Sequence, residues 1–327
     1  MFSNNDELLL DFADVKGQTQ IKRALEIAAA GSHNVLLVGS PGSGKTMLAK
    51  RLPGILPQLS LAEALEVTKL YSITGLLNSS EVLVTKRAFR SPHHTTSDIG
   101  IIGGGRIPRP GEVSLAHLGV LFLDEFPEFA RKVLEVLRQP LEDGKVTISR
   151  AHSSLTYPAQ FMLVAAMNPC PCGRLYDNDS SCSCSPTQVN KYWQKLSGPL
   201  LDRIDLQLEV ARLKPEELSG LPTGESSKTI RERVFSAKTI QEKRFTNSGV
   251  YSNSRMSAKQ IKEFCLLTKE ATNLLKSAIV HLKMSARAYD KVLKVSRTIA
   301  DLAGLEIIQA EHIAEATQYR SLDRKGS

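Results

Sequence analysis

The sequence predicts an α/β protein: a P-loop core on a parallel sheet, followed by a smaller, all-helical C-terminal domain. Three observations carry this prediction. Residues 35–39, VLLVG, form a short apolar run that enters a glycine loop, GSPGSG, and then a stretch of helical periodicity, KTMLAKRL. Two further apolar runs of strand length, VLFLDEF (120–126) and FMLVAAMN (161–168), need cover on both faces, as a parallel sheet flanked by helices provides. From residue 229 onward the periodicity is helical, with no convincing strand.

The elements follow in order. KGQTQIKRALEIAAAG reads as an Ala-rich helix with Ile21, Leu25 and Ala28 on its apolar side, closed by Gly31. SPHHTTSDIGIIGGGRIPRPGE, too rich in Gly and Pro for a helix, is expected to be a long loop or hairpin, and such segments tend to carry function. RKVLEVLRQPLED reads as helix, and the alternating KVTISRAHSSLTYPAQ as a β-hairpin. KPEELSGLPTGESS has the composition of a linker. The expected division is an α/β nucleotide-binding domain over 1–211, a linker and helix over 212–256, and a helical lid over 257–327. The first domain would carry insertions at 86–115 and 144–160 and a Cys-rich loop at 170–184.

The chain's 327 residues suggest two domains, and 42% apolar with 23% charged residues excludes a disordered or collagenous chain. No run approaches the roughly 18 apolar residues of a membrane span. The start, MFSNNDELLLDF, lacks the pattern of a secretory signal, so the expected location is the cytoplasm. The net charge of +8 lies wholly in residues 212–327, with 21 basic and 13 acidic side chains, whereas residues 1–211 carry 21 of each. Such an excess suits a polyanionic partner or a solvated surface.

Gly39, Ser40, Pro41, Gly42, Ser43, Gly44, Lys45 and Thr46 fit G-x-x-x-x-G-K-[ST], in the strand-to-helix context that this phosphate-binding loop requires. Lys45 is placed to reach the β and γ phosphates of ATP and Thr46 to hold Mg²⁺. Asp124, at the end of an apolar strand, is the second Mg²⁺ residue, and Glu125 polarises the attacking water. Asn168, at the end of the third strand, orients that water. Arg203 in GPLLDRIDL is expected as an arginine finger, and Arg287 in SARAYDKVLKVSR as a second phosphate contact, in cis or from a neighbour. Either arginine alone also reads as a surface ion-pair partner.

Four of five cysteines lie close together: Cys170 and Cys172, then Cys182 and Cys184. Two C-x-C pairs across a short polar loop make a candidate four-thiolate zinc site, with free thiols as the alternative. Cys265 reads as core. His93 and His94, without a third ligand nearby, do not read as a metal site.

The chain resembles AAA+ ATPases of the magnesium-chelatase-like group and, within it, the ComM (YifB) family. The resemblance runs through FADVKGQ, HNVLLVGSPGSGKTMLAKRLPGILP, PHHTTSDIGIIGGG, PRPGEVSLAHLGVLFLDEFPEF, LRQPLEDGKVTISRA, AAMNPCPCG, SGPLLDRIDL, SARAYDKVLKVSRTIADLAG and HIAEATQYR. It implies Walker A at 39–46, Walker B at Asp124 and Glu125, sensor 1 at Asn168, an arginine finger at Arg203 and sensor 2 at Arg287. It also implies a hexameric, ATP- and Mg²⁺-dependent DNA motor that drives branch migration of recombination intermediates in natural transformation. By analogy with related rings, the two insertions would face the pore, presenting Arg106, Arg109, Lys145 and Arg150 to single-stranded or branched DNA. The alternative for these cations is surface pairing with Glu112, Glu142 or Asp143. ComM-type proteins usually carry a Lon-protease-like domain ahead of FADVKGQ, and this sequence begins almost there. Two other functions compete: the motor subunit of magnesium chelatase, and a slow nucleotide-dependent scaffold or protein remodeller.

Overall fold

The computed structural model describes residues 10–77, 82–105, 107–150, 153–177, 182–213, 224–246, 248–282, 284–320 and 322. In chain order its strands are β1 (Val35–Val38), β2 (Phe89–Arg90), β3 (Gly103–Gly104), β4 (Arg109–Pro110), β5 (Val120–Leu123), β6 (Lys145–Arg150), β7 (Ser153–Pro158), β8 (Met162–Met167) and β9 (Leu206–Glu209). β2, β5, β8, β1 and β9, in that spatial order, form one parallel sheet. β1, the strand that leads into the glycine loop, lies between β8 and β9, with Val35 opposite both Val164 and Leu206.

β1, β5 and β8 are apolar throughout because alternate residues feed two different cores. Val35, Leu37, Val120, Phe122, Val164 and Leu206 join the helix Thr19–Gly31 and the C-terminal helices in one cluster. Leu36, Val38, Leu121, Leu123 and Leu163 join Val146, Ile148 and Tyr157 of the β6–β7 hairpin in the other. The hairpin and the helical C-terminal region therefore lie against opposite faces of the sheet.

That C-terminal region comprises helices Ser227–Arg244, Ala258–Phe264, Lys269–Leu282, Ala286–Leu302 and Ala310–Gln318. Helix Ser227–Arg244 packs on Thr19–Gly31, where Gln241 donates to the Ala30 carbonyl at 2.9 Å. Buried Asp301 accepts from Arg244, Arg297 and Asn253, locking Ala286–Leu302 to its neighbours. Of the expected linker, residues 214–223 lie outside the described residues. At its end the Ser227 hydroxyl accepts from the Phe12 amide at 2.8 Å. Among the described residues no helix is long and apolar enough to cross a membrane.

Several local expectations are corrected. The sheet has two strands the periodicity does not single out: β2 is only two residues long, and β9 (LQLE) interrupts its apolar pattern with buried Gln207. β5 stops at Leu123 because Glu125 takes a left-handed conformation (φ 51°) that cannot continue a strand, and Phe126 enters a 3₁₀ turn. Helix Thr19–Gly31 is closed by Ser32 (φ 54°) rather than by Gly31. The glycine-rich insertion does contain a helix, Asp98–Ile102: the Ser97 hydroxyl caps it by accepting from the Gly100 amide, and Gly103 ends it. The helical run 131–143 breaks into Arg131–Val136 and Arg138–Asp143, near Pro140, which has no N–H to bond the preceding turn. The predicted hairpin forms, with Lys145 opposite Pro158 and Arg150 opposite Ser153.

Candidate active site

At the end of β1 the glycine loop folds back on itself. The Gly39 amide donates to the Met167 carbonyl at 3.2 Å and the Ser43 amide to the Ser40 carbonyl at 3.1 Å. Gly42 and Gly44 take left-handed φ values of 78° and 92°, which strain any residue with a Cβ. This turn leads directly into the N-terminus of helix Lys45–Arg51, the strand–glycine turn–helix arrangement that suits a phosphate.

Lys45 is buried there. Its ammonium donates to the carbonyls of Gly39 (2.7 Å) and Ser40 (3.0 Å) and reaches Asn168 Oδ1 at 3.4 Å. Burial pushes the Lys45 pKa down, and nearby Asp124 opposes that shift. The Thr46 hydroxyl donates to Asp124 Oδ2 at 2.6 Å, so two hard oxygen ligands meet beside the phosphate position, a donor set that fits Mg²⁺. Glu125 follows, its amide donating to Asp124 Oδ1 and its carboxylate 3.0 Å from His94 Nδ1. Lys45, Asp124, Glu125 and Asn168 line one cavity of about 460 Å³, a size suited to a nucleotide.

The two predicted arginines do not line that cavity. Both line a second cleft, with Glu142, Asp202, Asp205, Arg255, Lys291 and Lys294. Arg287 pairs with Asp202 at 3.1 Å. Arg203 pairs with Glu142 and donates to the Pro199 carbonyl at 2.7 Å. One turn beyond Arg287, Lys291 pairs with buried Asp205 at 2.5 Å, fastening helix Ala286–Leu302 to the residues just before β9. Arg287 shares this cleft with Arg203, and neither lines the cavity around Lys45.

On the insertions, Arg109 in β4 and Lys145 in β6 are exposed. Arg106 lies outside the described residues, and Arg150 is the last residue of β6. Two of the carboxylates suggested as their partners bind other arginines: Glu112 pairs with Arg90 at 2.7 Å, and Glu142 with Arg203. Exposed Ile107 and Leu155 add apolar surface to both insertions.

The four clustered cysteines converge, all four Sγ atoms lying within 4.8 Å of one another. Cys170 is 3.4 Å from Cys172 and 3.8 Å from Cys182, and Cys172 is 3.6 Å from Cys182. A tetrahedral ion with Zn–S bonds of about 2.3 Å needs edges of about 3.8 Å, so the donor set fits zinc. The cluster abuts the phosphate loop. Asp177 accepts from the Ser40 hydroxyl at 2.5 Å, and Trp193 donates to the Pro169 carbonyl at 3.0 Å. Cys265 is buried in the core, as expected.

Sequence reasoning missed Lys191, Tyr192 and Lys195, which also line the nucleotide-sized cavity. They lie on or just after helix Pro186–Trp193. Its Ser185/Gln188 capping box and N-terminal proline could have located the helix but not its proximity to Lys45.

Comparison with known proteins agrees with this geometry. The family described as magnesium chelatase, subunit ChlI, matches residues 11–218, and the ChlI C-terminal family matches residues 224–320. YifB of Escherichia coli (strain K12) is 48% identical over 317 residues, covering 96% of this chain and 61% of that protein. Competence protein ComM of Haemophilus influenzae is 48% identical over 318 residues, with the same coverage. The magnesium-chelatase 38 kDa subunit of Rhodobacter capsulatus is 26% identical over 176 residues, 48% of this chain and 50% of that one. The chain thus spans about three-fifths of the length of YifB and ComM. The strand-borne phosphate loop, the parallel sheet with a helical C-terminal region and these matches together show that the chain belongs to the magnesium chelatase ChlI family, in the group of YifB and ComM.

Proposed function

We propose that the chain is the ATPase unit of a hexameric DNA motor, a branch-migration helicase acting in the cytoplasm on recombination intermediates during natural transformation. Membership of a magnesium-chelatase-like AAA+ family implies nucleotide and Mg²⁺ use. The DNA reading draws on likeness to a named competence protein over 96% of the chain, against 48% for the chelatase subunit. One observation supports the motor reading: Lys45 lines one cavity, whereas Arg203 and Arg287 line another. On this reading Lys45 with the loop amides supplies one half of the hydrolytic site and a neighbour's Arg203 with Arg287 the other, so a complete site would need two copies side by side.

In this mechanism the loop amides and Lys45 would bind the β and γ phosphates, and Thr46 and Asp124 would hold a Mg²⁺, which would supply charge neutralisation at the phosphates. Glu125 takes the proton of the attacking water, and Asn168, in reach of Lys45, orients that water. The neighbour's Arg203, with Arg287 beside it, would meet the charge that develops on the γ phosphate. Arg106, Arg109, Lys145 and Arg150 would track the DNA backbone without reading sequence. The four cysteines would hold a structural Zn²⁺ and brace the wall beside Ser40.

The test is ATP hydrolysis at rising protein concentration, with and without forked DNA, for the natural chain and Glu125→Gln. The expected result is specific activity that rises with concentration, is stimulated by forked DNA, and is lost in the variant. Full turnover by a monomer, or indifference to DNA, overturns the reading.

A further inference from the structure

A further cavity, of about 430 Å³, opens at the far end of the sheet from the phosphate loop. Gly119 and Phe161, which precede β5 and β8, line it together with Ser32, which shortly precedes β1, so it lies at the N-terminal ends of these strands. Met162 lines it, whereas Met167, at the other end of β8, lines the cavity around Lys45, about 16 Å away at the rise of a strand. Among the described residues the two cavities have no lining residue in common. With the arginine cleft it shares Ser32 and Arg255.

Much of its wall is apolar. Phe161 and Met162 are buried, Leu59 and Leu118 are half-buried, and Phe235 and Tyr251 are exposed. Most of its charged groups satisfy one another or the backbone. Arg87 donates to the carbonyls of Pro57 and Leu118, each at 2.7 Å, and pairs with Glu63 at 3.2 Å. Glu63 also accepts from the Ser60 amide at 2.9 Å, and Arg255 donates to the Leu141 carbonyl at 2.8 Å. Lys238 differs. Its half-buried ammonium donates to the Ser32 hydroxyl at 2.8 Å, and among the described residues no carboxylate lies within 4.0 Å of it. Glu242, one turn further along helix Ser227–Arg244, lines the cavity without pairing with it. Burial pushes the Lys238 pKa down to about 8, and the Arg87 charge adds to that fall against Glu63 and Glu242. At neutral pH the cation is still the main form, and an anion beside it would restore the stabilisation that burial removes.

We infer that this cavity binds a small organic anion with an apolar body, its head accepting from Lys238 and its body lying against Leu59, Leu118 and Phe235. The lining selects that class: an inorganic ion would leave the apolar wall in water, and an uncharged molecule would leave Lys238 without a counter-ion. The volume falls within the range of sites that enclose small molecules. Ligands of open α/β sheets ordinarily enter at the C-terminal ends of the strands, where the phosphate loop lies, so this is a site separate from the nucleotide's.

Fluorescence titration of the chain with anilinonaphthalene sulfonate, an aromatic anion that brightens on leaving water, tests this. Saturable binding of one molecule per chain is expected, retained in Lys45→Ala, weakened about tenfold in Lys238→Met and returned towards the natural value in Lys238→Arg. Phe235→Ala, a change at an exposed side chain, should weaken it about threefold. Thermal melts verify that each variant is folded. Octanoate and phenyl phosphate then compete with the probe: displacement at lower concentration by the first assigns a carboxylate head, by the second a phosphate monoester, and either supports the site. Failure of both to displace the probe, unchanged binding in folded Lys238→Met, or loss of binding in Lys45→Ala overturns the inference.

Discussion

The cavity around Lys45 and the cleft around Arg203 both present cations, but they hold them differently. Lys45 is buried and donates to neutral acceptors, two carbonyls and an amide oxygen. Arg203 and Arg287 are each paired with a carboxylate, and Arg287 is 63% exposed. The first region would offer a phosphate a cation whose hydrogen bonds go to neutral groups, with Asp124 acting on it only at a distance. In the second, an anion must compete with Glu142 and Asp202, so the proposed role of these arginines at another copy's phosphate would require both pairs to open.

The largest expected effect comes from separating these regions. Arg203→Ala should reduce turnover about 10³-fold while nucleotide affinity stays near that of the natural chain. Lys45→Ala should weaken binding itself. Mixing Arg203→Ala with Glu125→Gln subunits should recover activity, because seams with the nucleotide pocket of the first and the finger of the second are intact. No recovery in a mixed assembly would put both halves back in one chain.

A second effect concerns the brace behind the arginine cleft. Burial raises the Asp205 carboxyl, but adjacent Lys291 and then His33 override this and hold it far below the usual range. Its contribution to stability is therefore full above its unfolded value of 3.8 and declines as pH falls below it. Buried His33 is pushed below its ordinary 6.5 by desolvation, so its contribution is full above 6.5 and declines as pH falls from there. Thermal melts should show stability falling first below about 6.5 and again below about 3.8. Asp205→Asn should remove the lower limb and cost about 3 kcal/mol, because the Lys291 side chain, only 13% exposed, is left without its carboxylate. An unchanged melt would mean that Lys291 finds another anion.

The nucleotide side should respond to metal. Chelation, or Cys172→Ser, should release close to one zinc per chain and weaken nucleotide binding, because the cluster abuts the loop through Asp177 and Ser40. Binding of a fluorescent nucleotide analogue reads this directly. Zinc well below one per chain in reduced protein removes the site. The smallest effect belongs to the insertions: Arg109→Ala and Lys145→Ala should each lower the slope of log affinity against log salt by about 1, without altering sequence preference.

The phosphate loop and the apolar runs of β5 and β8 are legible from sequence because each is local, although the turn that ends β5 at Leu123 is not. A strand, a glycine turn and a helix start are written in consecutive residues, and Thr46, Asp124 and Asn168 terminate or follow such runs. β2 and β9 were not legible: two residues carry no period, and Gln207 breaks the alternation. The Asp98–Ile102 helix was hidden because its glycines outweigh its Ser97 cap in any composition-based reading. The His94–Glu125 contact was hidden too, because nothing in PHHTTSD points towards a glutamate thirty-one residues away from His94.

Sequence alone determined the chemistry at the end of β1, because backbone geometry there depends on neighbours along the chain. Tertiary structure decided which charges meet. With 42 basic and 34 acidic side chains, composition leaves the pairing degenerate. Packing both faces of one sheet selects Glu142 for Arg203, Asp202 for Arg287 and His94 for Glu125. The same packing parts the arginine cleft from the lysine cavity, because the segments bearing Arg203 and Arg287 are joined by Asp202–Arg287 and Asp205–Lys291 in a cleft of their own.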